Sequence, residues 1–192
     1  MGVPVVDTGP FTVEDFYAFT DRRPDEEKWE LIEGELVLNA SPAGFHQQIV
    51  TNILFSLTGQ LRASGGRWTA IPGIGALVSN TSRPEPDVMI LPRLGSRAQG
   101  AKRDTAEAVV LFEITSPSTA DRDLKWKRAA YTGMPKLTHY VVIAQDAVDV
   151  VVFARENGFA EHRLNSVDAA VAIPALDIAL PLSEIYRDID LV

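Results

Sequence analysis

An α/β fold, a mixed β-sheet flanked by helices, is what this chain predicts, and three observations carry the prediction. Apolar runs of strand length outnumber helical patterns. The longest helical pattern, Pro42 to Ala63, repeats apolar residues every four positions at Phe45, Ile49, Ile53, Leu57 and Leu61, which makes one apolar stripe. A capped helical segment also stands between the apolar run Val109 to Thr115 and the β-branched run Tyr140 to Ile143, which is the pattern of a strand–helix–strand crossover.

The elements follow in order. Thr12-Val13-Glu14-Asp15 has the form of a capping box and predicts a short helix over Val13 to Thr20. Trp29 to Ile32 and Glu35 to Leu38 read as two strands joined by a tight turn at Gly34. After the long helix come short β segments, Arg67 to Ile71, Ala76 to Ser79 and Asp87 to Leu91, separated by Gly and Pro. Ser118-Thr119-Ala120-Asp121 is a second capping box, opening a helix that runs to about Tyr131 and stops at Gly133-Met134-Pro135. Val148 to Arg155 gives a further strand, Phe159 to Leu164 an edge strand, and Leu182 to Tyr186 a last helical turn.

At 192 residues the length fits one domain spanning residues 1–192, long enough to bury a substantial core. The chain has no cysteine, which removes disulfides, thiolate nucleophiles and Cys-based zinc sites, and makes a reducing cytoplasm the natural compartment. Residues 1–7 lack the basic segment and long apolar core of a signal peptide. No apolar stretch approaches the roughly 20 residues of a spanning helix, so no membrane partner is expected. A net charge of −8 argues against a broad basic surface for nucleic acid. Arg93, Arg97, Lys102 and Arg103 nevertheless cluster in one Gly-containing loop, either a solvated loop or a phosphate-steering loop beside a site.

Chemistry concentrates in two acids and a lysine. Alternation along Val109 to Thr115 puts Val110, Phe112 and Ile114 on one face and Val109, Leu111 and Glu113 on the other. With both faces apolar, Glu113 is expected to be partly buried near the strand's C-terminal end, where sites of open α/β sheets lie. A buried carboxylate has to be paired, protonated or bound to metal. A structural salt bridge with Lys127 or an arginine and a metal site therefore stand as equal alternatives for Glu113. Asp87, after Pro86, taken alone is ordinary turn chemistry. Two acids close together repel unless a cation lies between them, and a hard oxygen-seeking ion such as Mg²⁺ fills that place.

Asp123, Lys127 and Tyr131 recur at i, i+4 and i+8, each turned by roughly 40° on an α-helix, so they share one face. Such a face is either a surface ion pair with an aromatic beside it or a means of returning an ammonium to the carboxylates. Lys125 is the rival lysine, two residues away and pointing elsewhere. His46 at the start of the long helix reads as a surface histidine or a site residue. Glu30 and Glu33, beside the tight turn, are further candidate carboxylates, with Glu30 given an inward option by its alternation with Leu31.

These residues together carry a resemblance. Glu30-Leu31-Ile32-Glu33-Gly34-Glu35-Leu36, Ser41-Pro42, His46, Pro86-Asp87-Val88, Phe112-Glu113-Ile114-Thr115-Ser116-Pro117-Ser118-Thr119, Asp123-x3-Lys127-x3-Tyr131 and Gly133-Met134-Pro135 resemble, in order and spacing, a large bacterial family of restriction-endonuclease-like proteins. That family was long catalogued as a domain of unknown function and belongs to the PD-(D/E)XK nuclease superfamily. The likeness runs from about Phe11 to Glu184. It implies a restriction-endonuclease-like core about 11–184, with Asp87 and Glu113 as metal ligands and Lys127 as a lysine relocated to the helix, since Thr115 stands where the usual lysine follows the second acid. Glu30 and His46 match positions near the site in that family. The chain departs from the family at Lys136-Leu137-Thr138-His139-Tyr140, where a compact Glu-Tyr-Trp is more usual.

The reading is a Mg²⁺-dependent phosphodiesterase acting on DNA, with Mn²⁺ as a possible substitute, catalytic residues Asp87, Glu113 and Lys127, and Asp123, Tyr131, Glu30 and His46 in support. A catalytically silent binding or assembly module on the same fold is the alternative, favoured by the acidic balance. A homodimer is expected on symmetry grounds.

Overall fold

The computed structural model describes residues 9–115 and 123–191. Its centre is a six-stranded sheet in the order β10-β9-β8-β7-β5-β3, formed by β3 (Trp68–Ile71), β5 (Val88–Pro92), β7 (Val110–Thr115), β8 (His139–Ala144), β9 (Val150–Ala154) and β10 (Glu161–Leu164). Neighbours run antiparallel except β7 and β8, which are parallel, so the sheet is mixed. A parallel pair needs a crossover on one face of the sheet. Here that crossover includes a π-helical turn (Asp123–Lys127) running into α4 (Arg128–Thr132). The Ser118 to Asp121 capping box lies outside the described residues.

Strand alternation sorts the core onto two faces. Val88, Ile90, Val110, Phe112, Ile114, Val141 and Ile143 pack against Ile49, Ile53, Leu57 and Leu61 of the long helix α2 (Gly44–Ala63). Met89, Leu91, Leu111, Tyr140 and Val142 pack on the other face with Tyr131, Met134 and Leu137. The expected stripe on α2 therefore holds except at its first member: Phe45, in the first turn, is 51% exposed.

The first helix, α1 (Val13–Thr20), carries the expected capping box, in which Thr12 and Asp15 exchange side-chain and backbone bonds. β1 (Lys28–Ile32) and β2 (Glu35–Asn39) form the expected hairpin with Ile32 opposite Glu35. Glu33 and Gly34 both have positive φ, 51° and 82°, the conformation that two-residue hairpin loops demand. A Cβ at Gly34 would also run into Pro10, so only glycine fits.

Three features differ from the sequence expectations. The segment expected as a strand over Ala76 to Ser79 shrinks to β4 (Gly75–Ala76), which pairs in parallel with β6 (Asp104–Thr105) outside the main sheet. A hairpin of β11 (Ala170–Ile173) and β12 (Ile178–Pro181) is additional, and its alternately buried Val171, Ile173, Ile178 and Leu180 cover the α2 side of the sheet ahead of α5 (Leu182–Ile185). The basic loop folds into a short helix, α3 (Arg97–Gly100), capped by Ser96 and Gln99. No helix among the described residues is long and apolar enough to cross a membrane.

Candidate active site

The site forms where β5 begins, β7 ends and α2 starts. Register along the antiparallel pair β5–β7, with Val88 opposite Phe112, brings Asp87 to the end of β7 beside Glu113. Asp87 Oδ2 accepts the backbone N–H of Ile114 at 2.7 Å, and its Oδ1 lies 3.2 Å from His46 Nε2. His46 is there because α2 lies along the face of the sheet opposite Glu113 and its first turn overhangs the strand ends. Its Nδ1 is buried with no hydrogen-bond partner among the described residues.

Glu113 is 4% exposed and Lys127 2% exposed, and Lys127 Nζ donates to Glu113 Oε1 at 2.8 Å. The same ammonium lies 3.1 Å from Glu30 Oε1, and Glu30 is 1% exposed. Glu30 Oε1 also accepts the Glu85 N–H at 2.7 Å, which ties β1 to the segment leading into Asp87. Leu31 and Arg83 exchange backbone bonds along that seam, 2.7 Å and 3.3 Å, so the approach to Asp87 is fixed to the hairpin that carries Glu30. Tyr131 donates its hydroxyl to Glu113 Oε1 at 2.8 Å. Burial first, then the neighbouring Glu113 and Glu30 charges, push the Tyr131 phenol well above its ordinary range, so it stays protonated and acts as a donor.

Lys127 and Tyr131 thus share the face that the spacing predicts, and both end on one carboxylate oxygen. The route is not a regular α-helix: Lys127 closes a π-helical turn, a form often found at functional positions. Lys125, the rival, is exposed, whereas Lys127 turns inward. The backbone of Asp123 opens the π turn, and its side chain lies outside the described residues. Of the two acids near the hairpin turn, Glu30 enters the cluster and Glu33 stays exposed at the turn. Two arginines of the basic loop are engaged or placed elsewhere. Arg93 follows β5 at the end opposite Asp87, roughly 20 Å along the strand. Arg103 is engaged with Asp21 at 2.6 Å and lies over the Tyr17 ring.

The donor set fits a hard cation. Asp87 and Glu113 are oxygen donors, and the Ile114 carbonyl leaves β7 on the same side as its N–H, toward Asp87. The Thr115 carbonyl, in contrast, accepts the Gln145 N–H at 3.0 Å. Among the described residues no group of three or more His, Cys, Asp or Glu side chains is arranged to hold a metal ion. Mg²⁺ is commonly bound by one or two carboxylates with water and substrate phosphate completing its shell, the mode compatible with this set.

Fold and acid–lysine cluster together define a restriction-endonuclease-like α/β protein. The family described as Uma2, "Putative restriction endonuclease", matches residues 13–183, and the chain belongs to that family. The crystal structure of a putative nuclease belonging to DUF820 from Anabaena variabilis is similar in fold, with a TM-score of 0.74 and 16% sequence identity over 92% of this chain and 98% of that one. At that identity the likeness is one of fold. No curated protein sequence matches the chain. The protein is nuclease-like in family and architecture.

Proposed function

We propose that the protein is a Mg²⁺-dependent endonuclease that hydrolyses phosphodiester bonds in DNA. The observation that carries this reading is the 2.8 Å contact between Lys127 Nζ and Glu113 Oε1, made while Asp87 is bonded to the very next peptide of the strand. Two acids from adjacent strands and one buried lysine are thereby gathered within one residue of each other.

Asp87, Glu113 and the Ile114 carbonyl are the groups that would hold the ion. Bound there, magnesium supplies charge neutralisation at the scissile phosphate and a more acidic water. Lys127 orients the attacking water and stabilises negative charge developing on the phosphate, and its low-dielectric setting strengthens that effect. Glu30 holds the ammonium from the other side and sets where it points. Tyr131 fixes the Glu113 carboxylate by donating to it. A twofold homodimer would present one such site to each strand of a duplex.

The test is cleavage of plasmid DNA with Mg²⁺ by the intact chain and by Asp87→Ala and Lys127→Ala, with circular dichroism as the folding control. Both variants lose Mg²⁺-dependent cleavage while retaining the fold. Cleavage undiminished in either folded variant overturns the assignment. A silent binding module on the same fold is favoured by one observation: Asp87 already accepts the Ile114 N–H and has His46 Nε2 3.2 Å from its other oxygen. It predicts no divalent-ion binding that depends on Asp87 and Glu113 in a calorimetric titration.

A further inference from the structure

A cavity of about 530 Å³ opens at the other end of α2, walled by Thr58 and Arg62 of the helix, Trp68 and Thr69 of β3, and Arg93 just beyond β5. Arg62 and the site residue His46 are separated along α2 by a rise of roughly 24 Å. The cavity is therefore distinct from the acid–lysine cluster.

Its lining is rich in donors and contains no acid. Neither guanidinium makes a side-chain hydrogen bond or an ion pair among the described residues, and the same holds for the Trp68 indole N–H and the two threonine hydroxyls as donors. Exposed arginines elsewhere are of both kinds among the described residues: Arg23, Arg103, Arg163 and Arg187 are engaged with acids, whereas Arg22, Arg67 and Arg97 make no ion pair. What sets Arg62 and Arg93 apart is that both line one cavity that contains no acid. In a chain of net charge −8, two arginines facing one cavity with no acid opposite are a local departure that requires a reason. Arg62 sits in the last turn of α2, where a cation also complements the helix dipole. Arg93, on the opposite wall, has no such role. Arg67, whose carbonyl accepts the Arg93 N–H at 2.9 Å, brings a third arginine to the same end of the sheet.

We infer that this cavity is a second anion site that takes a phosphate group, with Arg62 and Arg93 gripping it from opposite walls and the threonine hydroxyls and indole N–H supplying neutral donors. Planar guanidinium forks match phosphate oxygens in pairs, which is why arginine rather than lysine serves in such places. The phosphate is either free, as inorganic phosphate or a small ester, or part of a nucleic-acid backbone passing over this end of the protein.

The experiment separates the two sources. Inorganic phosphate is titrated calorimetrically into the full chain without divalent metal, and a short fluorescent DNA duplex is titrated by anisotropy, each with wild type, Arg62→Ala, Arg93→Ala and the double variant. Both arginines are exposed, so the variants fold, and thermal melting confirms it. Loss of each arginine weakens the responding ligand about tenfold, the loss expected for one charge-assisted contact. A response to inorganic phosphate identifies a free-phosphate site, and a response confined to the duplex identifies a backbone contact. Wild type and double variant binding both ligands equally, or neither ligand binding wild type, overturns the proposal. Arg62 and Arg93 lie outside the acid–lysine cluster, so Arg62→Ala and Arg93→Ala leave divalent-ion binding at Asp87 and Glu113 unchanged, and failure here is distinguishable from failure of the nuclease reading.

Discussion

Lys127 Nζ stands between two buried carboxylates, 2.8 Å from Glu113 Oε1 and 3.1 Å from Glu30 Oε1. A helix residue is thereby locked to the last turns of one strand and to a hairpin far away in sequence. Removing the amine takes away the cation that the two buried acids share. Lys127→Ala is expected to lower stability by about 3 kcal/mol or more at neutral pH, in the range for breaking a buried pair from one side. Urea denaturation measures it. A midpoint unchanged from wild type would mean the three groups do not form one network.

Tyr131 gives the pH signature of the same cluster. Its phenol is held well above the ordinary value of 10.0, chiefly by burial. A raised folded-state value stabilises the fold fully below the unfolded value, and that stabilisation is lost as pH climbs from about 10 through the folded one. Stability of wild type should fall steeply above pH 10, and Tyr131→Phe should flatten that fall. At neutral pH the variant loses about 1 kcal/mol, one hydrogen bond to Glu113. Chemical denaturation in a series of buffers checks both.

His139 acts at the other end of the pH scale. Burial holds its imidazole below the ordinary value of 6.5, only partly offset by Glu156. A depressed value stabilises the fold above 6.5 and the benefit disappears as pH falls through the folded value. Wild type should lose stability on acidification from pH 6.5 downward, with a shallower slope in His139→Gln. Identical slopes would place the acid sensitivity elsewhere.

Gly75 tests how the approach to Asp87 is built. A Cβ there would overlap the Arg83 guanidinium, which is 5% exposed and donates to Glu85 at 3.0 Å and to the Arg103 carbonyl at 2.7 Å. Gly75→Ala is expected to cost about 1–3 kcal/mol as overpacking of a filled site. Thermal melting gives the answer, and a neutral substitution would show that Arg83 is free to move.

Much of this arrangement is legible in the residues themselves. Apolar spacing fixes α2, and alternation along β7 puts Phe112 and Glu113 on opposite faces; that Phe112 takes the α2 face is known only from the structure. The i, i+4 step from Lys127 to Tyr131 brings both onto Glu113. Other features depend on partners remote in sequence. The β11–β12 hairpin is built on short strands containing alanine, whose pattern is too weak to read without the α2 surface they cover. Arg83 looks like any surface arginine until Gly75 and the Arg103 carbonyl close around it. Arg93 and Arg62 lie far apart in sequence, and only the sheet brings them to one cavity. The π-helical geometry that ends at Lys127 leaves no mark in the apolar spacing.

A divalent ion shared by Asp87 and Glu113 next to Lys127 would be seen in crystals grown with Mn²⁺ and measured at its absorption edge. One anomalous peak is expected within bonding distance of both carboxylates, with His46 displaced from Asp87 Oδ1. A map with no peak at these acids, His46 still 3.2 Å from Asp87 and Lys127 still on Glu113, would rule the shared ion out.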